Sequence, residues 1–207
     1  MRIKICGITR LEDARAAAGL GVDALGFIFT PKSPRYISPL DASEIIKRLP
    51  PFVSRVGVFV DEDPRTLIDT VQTAGIDTIQ LHGSEPPEYC AAMPAPVIKA
   101  LPVSNDFDLS LISKYKNVTA GILLDTWDPN RKGGSGRTFD WQIAIDACRK
   151  CDSLILSGGL GPLNIQKAIE TVTPYAVDLN SGVESAPGVK NHTKMREVVA
   201  VVRKFDG

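Results

Sequence analysis

"SLILSGGLGPLNIQKAIETVTPYAVDLN", residues 153–180, decides how the chain folds. It opens on an apolar run, crosses two glycines and continues into a helix-period segment. It closes on a second apolar run rich in β-strand formers. Two strands joined by a helical crossover must lie parallel. Working outward, the same strand–helix unit recurs along the whole chain.

Strand-like runs stand at 2–6 (RIKIC), 24–29 (ALGFIF), 54–60 (SRVGVFV), 77–82 (DTIQLH), 96–101 (PVIKAL), 120–125 (AGILLD), 153–158 and 175–180. Helix-period segments fill the gaps and carry their own punctuation. The first has Gly19 and Gly21 as stop signals. The second has Ser38 or Asp41 as N-cap and ends at Pro50 and Pro51. The third has Asp63 as N-cap, Pro64 at the first helical position and Gly75 at its end. The sequence therefore predicts eight strands and eight helices in 207 residues, roughly 26 residues per unit. Eight consecutive βα units predict a closed (β/α)8 barrel, an α/β TIM barrel, as a single domain over 1–207. An open doubly wound sheet is the alternative, since alternation alone does not prove closure. Against it, the first βα turn reads "CGITRLED" and lacks the G-x-G-x-x-G fingerprint.

Composition narrows the function. The chain has 24 basic and 24 acidic residues and no basic block, which argues against a nucleic-acid partner. No run reaches 18 consecutive apolar residues, so no membrane span or signal peptide is expected and the expected location is cytoplasmic. Four cysteines are too few for a disulfide scaffold. "CRKC" at 148–151 has redox or zinc spacing but no second ligand pair, and reads as the end of a helix.

In such a barrel, chemistry collects where strands end and βα loops begin. Those positions hold Cys6, the loop "TPKSPRYIS" with Arg35, His82, Asp125, "SGG" at 157–159 and "DLNSG" at 178–182. A glycine turn lets backbone approach a ligand closely, and a helix start offers unpaired N–H groups. Gly158, Gly159, Ser181 and Gly182 thus form a candidate phosphate site after strands 7 and 8. "VESAPG", 183–188, is long enough for a short extra helical turn. The polar stretch at 127–138 suits a flap over the site.

The motifs "KICGIT", "GFIFTPKSPRYIS", "VGVFVD", "QLHG", "LLDT…GGSG…FDW", "SGGLGPLN" and "VDLNSGVESAPGVK" together resemble the N-(5′-phosphoribosyl)anthranilate isomerase family of tryptophan biosynthesis. They run in order from end to end of the chain. "NSG", "GGSG" and "SGG" stand where that family more often has "SSG", "GGTG" and "AGG". The resemblance implies an Amadori rearrangement of a phosphorylated sugar–anthranilate substrate, with no metal or organic cofactor. It implies Cys6 as general base, Asp125 as general acid and Arg35 on the substrate carboxylate. His82 and Asp178 are expected to line the substrate site.

Strand alternation puts Lys4 on the face of Cys6, where its ammonium would favour the thiolate or pair with Asp178. Asp125, as an acid, needs desolvation or a neighbouring negative charge, and the apolar "GILLD" strand is expected to desolvate it. Two other classes share the phosphate turns. A metal-dependent sugar-phosphate epimerase needs clustered His and acidic ligands, and only His82 and His192 exist here. A non-catalytic sugar-phosphate sensor leaves a Cys/Asp pair unexplained.

Overall fold

The computed structural model describes residues 1–104, 106–126 and 138–205. The strands are β1 Arg2–Ile5, β2 Ala24–Ile28, β3 Ser54–Phe59, β4 Thr78–Leu81, β5 Val97–Val103, β6 Gly121–Thr126, β7 Leu154–Leu156 and β8 Ala176–Leu179. Each is parallel to its neighbours. β1 pairs with both β2 and β8, so no edge is left and the barrel is closed. That closure removes the open-sheet alternative. The helices are α1 Leu11–Gly19, α2 Pro39–Ile46, α3 Pro64–Ala74, α4 Pro87–Ala91, α5 Ser110–Tyr115, α6 Trp141–Cys148, α7 Ile165–Val172 and α8 His192–Arg203.

The period-two alternation of the strands divides the apolar side chains into two cores. Ala100, Leu123, Ile155 and Ala176, with Ile98 beside them, fill the barrel interior. Their strand neighbours Leu101, Ile122, Leu124, Leu156 and Val177 join the larger cluster under the helices. Strand β5 runs two residues past its expected end, and its Pro102 stands level with Asp125 of β6.

Local chemistry sets the helix starts. Of the two candidate caps for α2, Ser38 holds the position: its hydroxyl accepts the Asp41 N–H and donates to the Asp41 carboxylate. At α3, Asp63 accepts the N–H groups of Arg65 (3.0 Å) and Thr66 (3.2 Å), and Gly75 closes the helix with φ 78°. Replacing Asp63 by Ala is expected to lower stability by about 1 kcal/mol, read as a lower urea midpoint at unchanged slope.

One expectation needs correction. The extra helical turn lies earlier, as a one-turn 3₁₀ helix over Ser181–Val183. The residues after it form a small antiparallel hairpin, β9 Glu184–Ala186 with β10 Val189–Lys190. Pro187 followed by Gly188 at φ 78° is the residue order a type II turn needs, and it favours the hairpin over a helix. This hairpin brings Glu184 and Lys190 opposite one another over the barrel mouth.

Candidate active site

Cys6 follows β1 and is 4% exposed; its N–H donates to the Leu179 carbonyl at 2.8 Å. Gly26 on β2 makes the room. A Cβ there would lie 2.7 Å from Cys6 Sγ and 3.2 Å from Lys4 Cε, so both side chains turn inward over the same glycine. Lys4 Nζ donates to both carboxylate oxygens of Asp178, at 3.0 and 2.9 Å, across the β1–β8 register. Asp178 thus holds Lys4, one of the two arrangements the sequence left open.

Burial pushes the Cys6 thiol up. Lys4 pulls it down, Asp178 raises it again and Lys190 lowers it, and the net effect stays above the ordinary thiol value. The expected ammonium is present, but burial and the Asp178 charge outweigh it. Burial lowers Lys4, and Asp178 and Cys6 more than restore it, so the amine stays charged. Burial also pushes the Asp178 carboxyl above the usual range despite Lys4, and the charge of Asp125 adds to this. The bidentate contact at 2.9–3.0 Å is that of an ion pair, which breaks at great cost if one partner is removed.

Asp125 sits in β6 at the same rim. Its Oδ1 accepts the Thr126 N–H at 2.9 Å and its Oδ2 lies 3.3 Å from His82 Nε2. The apolar enclosure expected from "GILLD" is not what surrounds this carboxyl. Ile122 and Leu124 point to the outer core and Leu123 lies deeper in the barrel, so the strand end is polar. His82, a half-buried rim residue, is in turn met at Nδ1 by Gln80 Nε2 at 3.1 Å. Beneath that loop, Lys99 and Glu85 form an ion pair at 2.8 Å with both side chains 2% exposed. Lys99 also donates to the Gly83 carbonyl, and Glu85 accepts the N–H groups of Gly83 and Asp61, so the pair ties two βα loops together.

Arg35 is carried inward by a loop that folds back on β2, where Tyr36 bridges Ile28. It is buried, and its Nε and Nη2 grip Glu184 at 2.7–3.1 Å. The guanidinium edge that includes Nη1 has no partner among the described residues, so a second bidentate anion contact is geometrically open. Lys190 Nζ bonds Glu184 (2.8 Å) and Asn180 Oδ1 (3.0 Å). Burial would raise Glu184, but Arg35 and Lys190 hold it below the usual carboxylate range. Burial pushes the Lys190 amine down against the pull of Glu184. Gly7, at φ 71°, lets this cluster close on Cys6: a Cβ there would meet Asn180 Oδ1 at 2.7 Å and Arg35 Cδ at 2.8 Å.

The two glycine turns touch one another. A Cβ at Gly182 would lie 1.9 Å from the Leu160 carbonyl oxygen, and one at Gly158, where φ is 90°, 2.2 Å from Thr126 Oγ1. Gly158 and Gly182 are thus required by crowding between the loops after β6, β7 and β8, whatever ligand they also meet. Among the described residues, none accepts a hydrogen bond from the N–H groups of Gly159, Ser181 or Gly182.

The flap expected at 127–138 lies outside the described residues, save for Thr138. Cys148 is the last residue of α6 and Cys151 stands three residues beyond it, with the Cys148 thiol 3.6 Å from the Val172 carbonyl. Among the described residues, no group of His, Cys, Asp and Glu is placed to hold a metal, and no helix is long and apolar enough to cross a membrane.

A family model described as N-(5'phosphoribosyl)anthranilate (PRA) isomerase matches residues 3–201. The chain belongs to this family. A relative from Geobacter sulfurreducens, named N-(5'-phosphoribosyl)anthranilate isomerase, is 49% identical over 199 residues, 96% of this chain and 97% of that protein. The crystal structure of phosphoribosyl anthranilate isomerase from Thermotoga maritima superposes with a TM-score of 0.92 at 47% identity, covering 99% of both chains. A phosphoribosyl anthranilate isomerase solved in complex with reduced 1-(o-carboxyphenylamino)-1-deoxyribulose 5-phosphate superposes with a TM-score of 0.88 at 44% identity, again covering 99% of both chains.

Sequence reasoning missed Gln80, Asn180, Glu184, Lys190 and the space left by Gly26. Strand parity could have found two of them. Gln80 stands two residues before His82 and Asn180 two after Asp178, on the same faces.

Proposed function

We propose that this chain isomerises N-(5-phosphoribosyl)anthranilate to 1-(2-carboxyphenylamino)-1-deoxyribulose 5-phosphate, a step of tryptophan biosynthesis. One observation carries the reading. A buried thiol, Cys6, and a carboxyl, Asp125, occupy one barrel rim around the Lys4–Asp178 pair, in a chain that matches the isomerase family over nearly its whole length.

In this reading Asp125 gives its proton to the furanose ring oxygen as the bond from that oxygen to C1 breaks and the anilino nitrogen lone pair forms the iminium. Cys6, as thiolate, takes the proton from C2, and the freed electron pair makes the C1=C2 bond of the enolamine while neutralising the nitrogen. The enolamine gains a proton at C1 and loses one from the C2 hydroxyl, giving the ketone. One proton passing through solvent from the thiol to the carboxylate resets the pair. Atoms and electrons balance without an external oxidant or reductant.

Arg35, fixed by Glu184 along one edge, presents its other edge to the anthranilate carboxylate. Gly158, Gly159, Ser181 and Gly182 hold the phosphate through backbone N–H groups, a reading supported by three of them having no acceptor among the described residues. His82 and Asp178 line the sugar side. A charged sugar phosphate does not cross a bilayer unaided, so the enzyme works where its substrate is made, which we take to be the cytoplasm.

The test is a continuous fluorescence assay on freshly generated phosphoribosylanthranilate. Catalytic loss of the substrate's anthranilate fluorescence on adding protein is the expected result. Stoichiometric binding without turnover would overturn the reading in favour of a sugar-phosphate sensor.

A further inference from the structure

Gln80 is 1% exposed and stands on the inward face of β4, two residues before His82. Its Nε2 lies 3.1 Å from His82 Nδ1. An amide nitrogen only donates, so in this arrangement Nδ1 accepts. The ring's single proton then sits on Nε2, which lies 3.3 Å from Asp125 Oδ2. The Gln80 amide donates to His82, and the ring nitrogen left with the proton stands beside Asp125, close enough to pair with it though not aligned as a hydrogen bond in this structure.

A second observation bears on the same side chain. Gln80 Oε1 is buried and has no hydrogen-bond partner among the described residues. An orphaned buried acceptor destabilises a fold, and an apolar side chain of similar volume would avoid it. Packing therefore does not account for an amide here; its donor nitrogen does. Asp178 is the other charged group that His82 faces, and Lys4 already occupies both of its oxygens.

We propose that Gln80 is a positioning residue: its amide fixes His82 as the Nε2–H tautomer and so places an N–H within reach of Asp125. When Asp125 gives up its proton, the new carboxylate meets a donor already in place. This functional half rests on the reading of Asp125 as the acid; the tautomer itself does not.

The chain contains two histidines, His82 and His192, so side-chain ¹H–¹⁵N correlation spectra at neutral pH resolve both. In the wild type, His82 is expected as the Nε2–H tautomer with Nδ1 unprotonated. A wild-type Nδ1–H tautomer overturns the proposal by itself, whatever any variant does. In Gln80→Met, which keeps the length and loses the donor, His82 is expected to populate both tautomers while His192 stays unchanged. An unchanged His82 would overturn the proposal. In Gln80→Glu the carboxylate accepts from Nδ1–H, and His82 is expected to carry a proton there.

In the fluorescence assay, Gln80→Met is expected to lower kcat roughly 10- to 100-fold with KM within about twofold, the change expected from losing a hydrogen bond to a charged group. A changed tautomer with unchanged kcat would overturn the positioning role and leave the proposed reaction standing. A wild-type protein that turns over no substrate would instead overturn the proposed reaction, with the tautomer still read by the spectra.

Discussion

Asp125→Asn is expected to lower kcat by about 10²- to 10⁴-fold, the range for removing a general acid, with KM changed only a few fold. Asn is nearly isosteric. Its carbonyl oxygen can still accept the Thr126 N–H that Asp125 Oδ1 accepts at 2.9 Å, so the strand end keeps its shape. What disappears, in the proposed mechanism, is the proton for the ring oxygen, and with it the trigger for ring opening. In the proposed binding mode the ground state is held by the phosphate and carboxylate contacts, which this substitution leaves alone. The split of the effect between kcat and KM therefore separates loss of the acid from general damage. Steady-state kinetics on freshly made substrate, with a urea curve to confirm folding, make the measurement. Turnover close to wild type would remove Asp125 as the acid.

The barrel was legible in the sequence because its signals are local and repeated. Apolar runs, caps such as Asp63 and stops such as Gly75 each speak for their own unit; eight in a row favour a closed barrel, and the pairing of β1 with β8 establishes it. The rim position of Cys6, His82, Asp125 and Asp178 followed from strand ends alone. The electrostatic setting did not. Burial of Cys6 against Lys4 and Asp178 depends on register across β1 and β8, residues 174 apart in sequence. The Glu184–Arg35 contact depends on a hairpin that replaces an expected helical turn, and no periodicity encodes where that hairpin lands. The structure adds a reason for the glycine turns that the sequence did not show. Gly158 and Gly182 answer to Thr126 and Leu160, and a sequence does not show which backbone crowds which.

Cys6→Ala is expected to cost a similar 10²- to 10⁴-fold, and its pH dependence identifies the base. The sign follows from the site. In the proposed reaction only the thiolate can take the C2 proton. Burial holds the Cys6 thiol above its ordinary value, so at neutral pH the free enzyme carries mostly thiol. Wild-type kcat/KM then contains a factor that rises about tenfold per pH unit until it levels at the thiol's own pKa. The ratio of wild-type to Cys6→Ala kcat/KM cancels every ionisation the two enzymes share. This ratio is expected to climb toward alkaline pH. In Lys4→Met the climb is expected to extend to higher pH, because Lys4 is the foremost influence pulling the thiol down and Asp178 raises it. A ratio that stays flat from neutral to alkaline pH would remove Cys6 as the base. A Lys4→Met profile superposable on wild type would show that the ammonium acts on Asp178 alone.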